Sequence, residues 1–188
     1  MNFPTFNLKQ IPMKYFYRLV LLLGVCCLAG CGPRQEPAYT TPETFVLYTG
    51  RDTLMPGETE TRMVAVPDHE LSVDPALAMD EKLNLIATAL SEIYFRGLEI
   101  HVMKLEQLTD TGLVLYINLS EPDAFDGPGS LPSYQSWYDF FQGSYGGQQT
   151  SIRLKESFLQ PQYQGPWIDQ VQFYYNGEPL EGWDHLIL

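Results

Sequence analysis

Past residue 31 this 188-residue sequence has no cysteine; its three are Cys26, Cys27 and Cys31. A domain downstream of them therefore has no disulfide framework and no thiolate metal site, and must be held by its core alone. Histidine is almost as scarce. His69, His101 and His185 lie far apart, and no His-Glu-x-x-His helix accompanies them, so zinc-peptidase chemistry has no support. A lone strand histidine such as His101 reads as a hydrogen-bonded structural residue, since the ligand spacing of metal sites is missing. No Gly-x-Ser-x-Gly elbow is present. Gly143-Ser144-Tyr145-Gly146-Gly147 lacks the Lys-Ser/Thr that a phosphate-binding loop requires, and reads as a turn before a helix. These absences leave no expected catalytic residue, metal or cofactor. There is also no internal repeat, and the apolar run Leu19–Ala29 falls short of the about 20 residues that span a bilayer.

Positive charge is the next shortage. Lys9, Lys14 and Arg18 are three of the 11 Lys and Arg, and no acid precedes Glu36. Residues 31–188 thus carry 8 basic against 23 acidic side chains, a net charge of −15. This excludes nucleic acid as an expected partner, because phosphate neutralisation needs clustered Lys and Arg. It also argues against lying flat on anionic lipid. The acids are scattered, which suits solubility and mutual repulsion; the other reading is a docking surface for a basic partner.

What is present is most informative at the N-terminus. Lys9, Lys14 and Arg18, then apolar Leu19–Leu28, then small residues, form the three parts of a secretory signal peptide. Met13 onward already makes a complete one, which suggests translation starting there. Leu28-Ala29-Gly30-Cys31 resembles the lipobox of bacterial lipoproteins. The resemblance implies cleavage before Cys31 and a diacylglyceryl group on its sulfur. Two acyl chains anchor stably where one is marginal. The expected location is the outer face of the cytoplasmic membrane, or the outer membrane of a two-membrane cell, since Gly32 is not the aspartate that resembles an inner-membrane retention signal. Residues 31–44, with Pro33, Pro37 and Pro42, read as an extended tether rising about 3.1 Å per residue.

A single α+β domain is expected over 45–188, two helices packed on a mixed β-sheet in the order β-β-α-β-β-α-β. Phe45–Tyr48 reads as a strand stopped by Gly50, Asp52–Thr61 as a loop, and Arg62–Val66 as a strand ended by Pro67. Asp74-Pro75 offers a helix start. Met79, Leu83, Ile86, Ala87, Leu90 and Tyr94 make one buried stripe, Asp80, Glu81 and Lys82 face elsewhere, and Gly97 suits the C-terminal cap. His101–Leu108 and Leu113–Leu119 form a hairpin through Thr109–Gly112, with Leu113–Ile117 apolar on both faces as a central strand should be. Glu121–Gly147 reads as a long irregular region and Thr150–Gln160 as the second helix. Val171, Phe173 and Tyr175 alternate as a half-buried strand, turned back by Asn176-Gly177 through a type I′ turn toward Leu180.

Two of these segments carry a resemblance. Val114-Leu115-Tyr116-Ile117-Asn118-Leu119-Ser120 resembles the "V-x-V-D-L-S" strand of the sporulation and spore germination domain GerMN. Ile168 through Gly177 is similar to that family's later "V-x-x-V-x-F-x-V-D-G" strand and turn, with Gly182-Trp183-Asp184-His185 in the place of its glycine-containing tail. Asn118 and Asn176 stand where the family favours aspartate. The resemblance implies a fold like the ring-building motifs of envelope assemblies and a non-catalytic role in assembling or positioning a complex near peptidoglycan.

Two clusters remain as candidate sites. Trp137, Tyr138, Phe140 and Phe141, within the aromatic loop 134–141, either cap the core or form a patch for a protein or glycan. Glu121, Asp123 and Asp126 are hard oxygen ligands dense enough for calcium, or a carboxylate pair for sugar hydrolysis, or turn formers. The expected function is a non-enzymatic, membrane-anchored envelope lipoprotein that acts through contacts with envelope proteins or peptidoglycan. A glycan-binding module using the aromatic loop is the alternative, and a carboxylate hydrolase the third reading.

Overall fold

The computed structural model describes residues 41–183 and 185–188. The segment 1–30 expected to be a signal peptide, with Met13, the expected lipidation site Cys31, the expected tether as far as residue 40, and Asp184 lie outside the described residues. The chain is an α+β domain in which helices accompany a mixed four-stranded sheet and a separate two-stranded hairpin.

β1 (Glu43–Leu54) and β2 (Thr61–Val73) pair antiparallel as that hairpin. β1 does not stop at Gly50, and β2 does not end at Pro67. Gly50 marks a close approach: a Cβ there would press on Met63 and on the Gln149 amide. Pro67 sits where the register slips, with Leu47 opposite His69 and Tyr48 opposite Pro67, so that Asp68 is the extra residue. Leu47 and Tyr48, on either side of the slip, are both buried, and Leu47 joins the main core.

α1 (Met79–Tyr94) begins later than Asp74-Pro75 suggests. Asp74 instead forms a turn, its side chain accepting from Ala76 N–H at 2.9 Å and its carbonyl from Leu77 N–H at 3.1 Å. The helix then opens at Ala78, whose N–H donates to Glu81 at 2.9 Å, and closes through Gly97 at φ 83°, whose N–H returns to Ser91 O. Leu83, Ile86, Ala87 and Leu90 are buried as the stripe requires. Lys82 does not face solvent: its Nζ lies 2.6 Å from Glu43 and its side chain is largely covered.

β3 (Glu99–Leu108) and β4 (Gly112–Ser120) form the expected hairpin. β4 is central, antiparallel to β3 and parallel to β5 (Gln170–Tyr175). β6 (Glu178–Pro179) closes the order β3-β4-β5-β6. Asn176 and Gly177 both have positive φ, at 49° and 86°, as a type I′ turn demands.

The region 121–147 is shorter in loop than the sequence suggests, because α2 (Trp137–Phe141) and α3 (Ser144–Leu159) occupy its end. Gly146 and Gly147 lie inside α3 and not in a turn before it. A Cβ on Gly147 would collide with the His185 carbonyl, so the glycine admits the C-terminal tail against the helix.

α3 also seals the outer edge of β1. The Gln149 amide accepts from Gly50 N–H at 2.9 Å and donates to Gly50 O at 2.8 Å. The Gln160 amide does the same for Val46, accepting and donating at 2.8 Å each, and Ser157 Oγ accepts from Tyr48 N–H at 2.9 Å. Three side chains thus act as a neighbouring strand would, on every second residue of β1. One core unites the layers: Phe45 and Leu47, Leu83, Ile86 and Leu90, Leu115, Ile117 and Leu119, Leu154 and Phe158, and Phe173. Each fully buried Leu, Ile or Phe contributes about 1.5–3 kcal/mol.

Candidate functional site

The aromatic segment is core rather than surface. Ser136 caps α2 through a bond from Asp139 N–H, and the helix turns Trp137, Phe140 and Phe141 inward, where they are 0 %, 9 % and 1 % exposed. Phe95 packs on Trp137 and Phe140 with ring centroids 4.8 and 5.2 Å apart, and Trp183 meets Phe141 at 5.0 Å. Trp137 Nε1 donates to Glu99 O at 3.2 Å. Of the four residues offered as an interaction patch only Tyr138 is half-exposed, and it faces Trp183. Trp137, Phe140 and Phe141 thus complete the core, while Tyr134 at the start of the loop is 48 % exposed beneath Arg96.

Of the three acids, Glu121 and Asp123 line one small concavity, but the Glu121 carboxylate is already committed. Glu121 is the anchor of α2: Trp137 N–H, Tyr138 N–H and Tyr175 O–H all donate to its two oxygens at 2.8 Å. A carboxylate at a helix start takes up orphan backbone donors and ties α2 to β5. Burial pushes the Tyr175 hydroxyl up from its ordinary value, and the Glu121 bond adds to the rise. Asp123 and Asp126 are exposed, and Asp126 N–H takes part in a turn with Ser130 Oγ. Among the described residues no group of three His, Cys, Asp or Glu side chains converges as a metal site. His69 and His101 are exposed on β2 and β3, and His185 Nδ1 lies 3.4 Å from Ser144 Oγ at the surface.

Asn118 and Asn176 have a shared task. Asn118 Oδ1 accepts from Gly177 N–H at 2.7 Å and Asn176 Oδ1 accepts from Glu121 N–H at 2.9 Å, which cross-links the ends of β4 and β5. Both bonds need only an acceptor oxygen, which asparagine supplies as aspartate does. The Asn118 amide nitrogen adds a bond to Ser120 Oγ that a carboxylate lacks.

A well-formed concavity lies elsewhere. A groove of about 520 Å³ runs between the turn-proximal half of the β1–β2 hairpin, α3 and the tail. The hairpin gives Asp52, Thr61, Arg62 and Met63. α3 gives Tyr145, Gln148, Ile152 and Lys155, one face of the helix by spacing, with Ser151 and Glu156 beside them. Ile187 closes the far side, held by its N–H to Ser151 Oγ at 2.8 Å. Tyr145 and Ile187 are 60 % and 65 % exposed on its wall, two large apolar side chains at one concavity. The helical stripe 145/148/152/155 was the available signal in the sequence, and beginning the helix at Thr150 hides it.

A second surface is the helix-free face of the main sheet. Tyr116 and Tyr174 stand on neighbouring strands with ring centroids 6.3 Å apart, and Lys104 lies over Tyr116 at 4.3 Å. Lys104 also meets Glu106 at 2.7 Å, a pair that lowers the Glu106 carboxyl and raises Lys104. No family model, curated protein or solved structure matches the chain. Among the described residues no helix is long and apolar enough to cross a membrane.

Proposed function

We propose that this chain is an exported lipoprotein of the bacterial cell envelope, anchored through Cys31, whose domain is a non-enzymatic binding module for envelope proteins. The observation that carries the reading is the groove between the hairpin and α3, with Tyr145 and Ile187 exposed on its wall. Its size falls in the about 300–1,000 Å³ range of binding clefts. The anchor confines the domain to a membrane surface and raises its effective concentration for partners there. A GerMN-like role in an envelope, sporulation or germination assembly draws support from β4 and β5. They carry the two resembling segments and lie side by side with Asn118 opposite Tyr174.

The test places a photo-crosslinking residue at Tyr145 of the full-length protein in cells. Capture of a discrete set of envelope proteins, lost in Cys31→Ala, supports the reading. No capture, or capture indifferent to Cys31→Ala, refutes it.

Glycan binding stays as a second reading, moved from the aromatic loop to the sheet face. Tyr116 and Tyr174, with the exposed Gln172 beside them, offer rings and a neutral hydrogen-bonding group together. Sedimentation with insoluble peptidoglycan that fails for Tyr174→Ala supports it, and no sedimentation of the wild type ends it.

A further inference from the structure

The groove is lined by charges of both signs that the fold leaves uncommitted. Among the described residues Asp52, Lys155 and Glu156 make no ion pair and no side-chain hydrogen bond, although all three line it. Arg62 has only Glu58 at 3.8 Å, with the two side chains 59 % and 44 % exposed. Such a pair is worth little and leaves the guanidinium free to turn toward another anion. The same groove is lined by the apolar side chains of Met63, Ile152 and Ile187.

This distribution is unlike the rest of the molecule. Residues 31–188 hold only 8 cations against 23 acids, yet two of those cations meet two acids in one concavity. An anionic partner is repelled by the molecule as a whole, and a basic one gains nothing from Arg62 and Lys155. A ligand with an ammonium and a carboxylate at its two ends satisfies both pairs. Its apolar middle covers these apolar side chains and dries the site, which strengthens both contacts.

We infer that the groove binds a short zwitterionic peptide, its amino group taken by Asp52 and Glu156, its carboxylate by Arg62 and Lys155, and an apolar side chain lying on Met63, Ile152 and Ile187. The inference rests on the reading of this groove as the binding site and names its ligand class.

The test is methyl NMR of the full-length protein in detergent micelles, with Ile and Met methyls labelled. The probe is the tripeptide Leu-Ala-Leu in four forms: free, N-acetylated, C-amidated, and blocked at both ends. The free form is expected to shift the Met63, Ile152 and Ile187 methyls saturably. Blocking either end should weaken binding by about tenfold or more, the loss of a charge-assisted hydrogen bond. Lys155→Gln should narrow the gap between the free and amidated forms, and Asp52→Asn the gap between the free and acetylated forms. Equal binding of the doubly blocked peptide, or no methyl shift with any form, overturns the inference. Crosslinking from Tyr145 in cells that persists despite that result leaves the groove as a protein-binding site and removes only the peptide class.

Discussion

Replacing Gln149 with alanine tests whether side chains can stand in for a strand. The Gln149 amide makes both a donor and an acceptor bond to Gly50 on the outer edge of β1. Alanine removes both and leaves the Gly50 N–H and C=O facing a helix. Two such bonds at about 0.5–1.5 kcal/mol net each give about 1–3 kcal/mol. Alanine's better helix propensity returns a few tenths of that. With a urea m-value of about 1–3 kcal/mol/M, the midpoint should fall by about 1 M with the slope unchanged. Amide exchange should quicken at Gly50 first. Gln162→Ala is the control, since Gln162 is exposed and its side chain makes no bond among the described residues. A Gln149→Ala loss below about 0.5 kcal/mol, the range of an inert surface change, with exchange at Gly50 unaltered, would refute the idea that α3 seals this edge.

Trp137→Ala should cost about 3–5 kcal/mol, as emptying a fully buried aromatic site does; a thermal melt showing a near-neutral change would mean the residue is on the surface after all. Gly147→Ala should destabilise despite alanine's helix propensity, because the new Cβ displaces the His185 carbonyl; limited proteolysis should then release the tail, and an intact tail contradicts the packing. Above pH 10 stability should fall as pH rises. Burial first, then bonds to Asp68 and Glu121, raise the Tyr94 and Tyr175 hydroxyls above 10.0, so there the unfolded chain loses protons that the folded one keeps. Urea midpoints between pH 9 and 11 should decline less steeply for the Tyr94→Phe/Tyr175→Phe protein, and identical slopes would remove these two groups from the cause.

Element order was legible because hydrophobic periodicity is local. The stripe from Leu83 to Leu90, the apolar centre of β4 and the Asn176-Gly177 turn all carry their signal within a few residues. The misread boundaries share one cause. Gly50, Pro67 and Gly147 are breakers by propensity, but each is used for a close approach or a register slip against something distant. Gln149 and Gln160 look like surface residues, and only partners 99 and 114 positions away reveal them as backbone ligands. The aromatic segment shows the same limit. Trp137 is fixed by Glu121 and Phe95 across loops whose course no short window encodes. The groove joins a hairpin, a helix and the tail, so no single stretch contains it.

The seal between α3 and β1 also sets an order of events. β1 is the first strand to be made, and the residues that cover its edge come about 100 positions later. At about 5–20 residues per second, the strand waits roughly 5–20 s with its outer N–H and C=O groups bare. The newborn chain passes through a period in which its leading strand is free to pair with the wrong neighbour. Its safe maturation depends on how quickly the trailing helix arrives, or on what holds β1 until then.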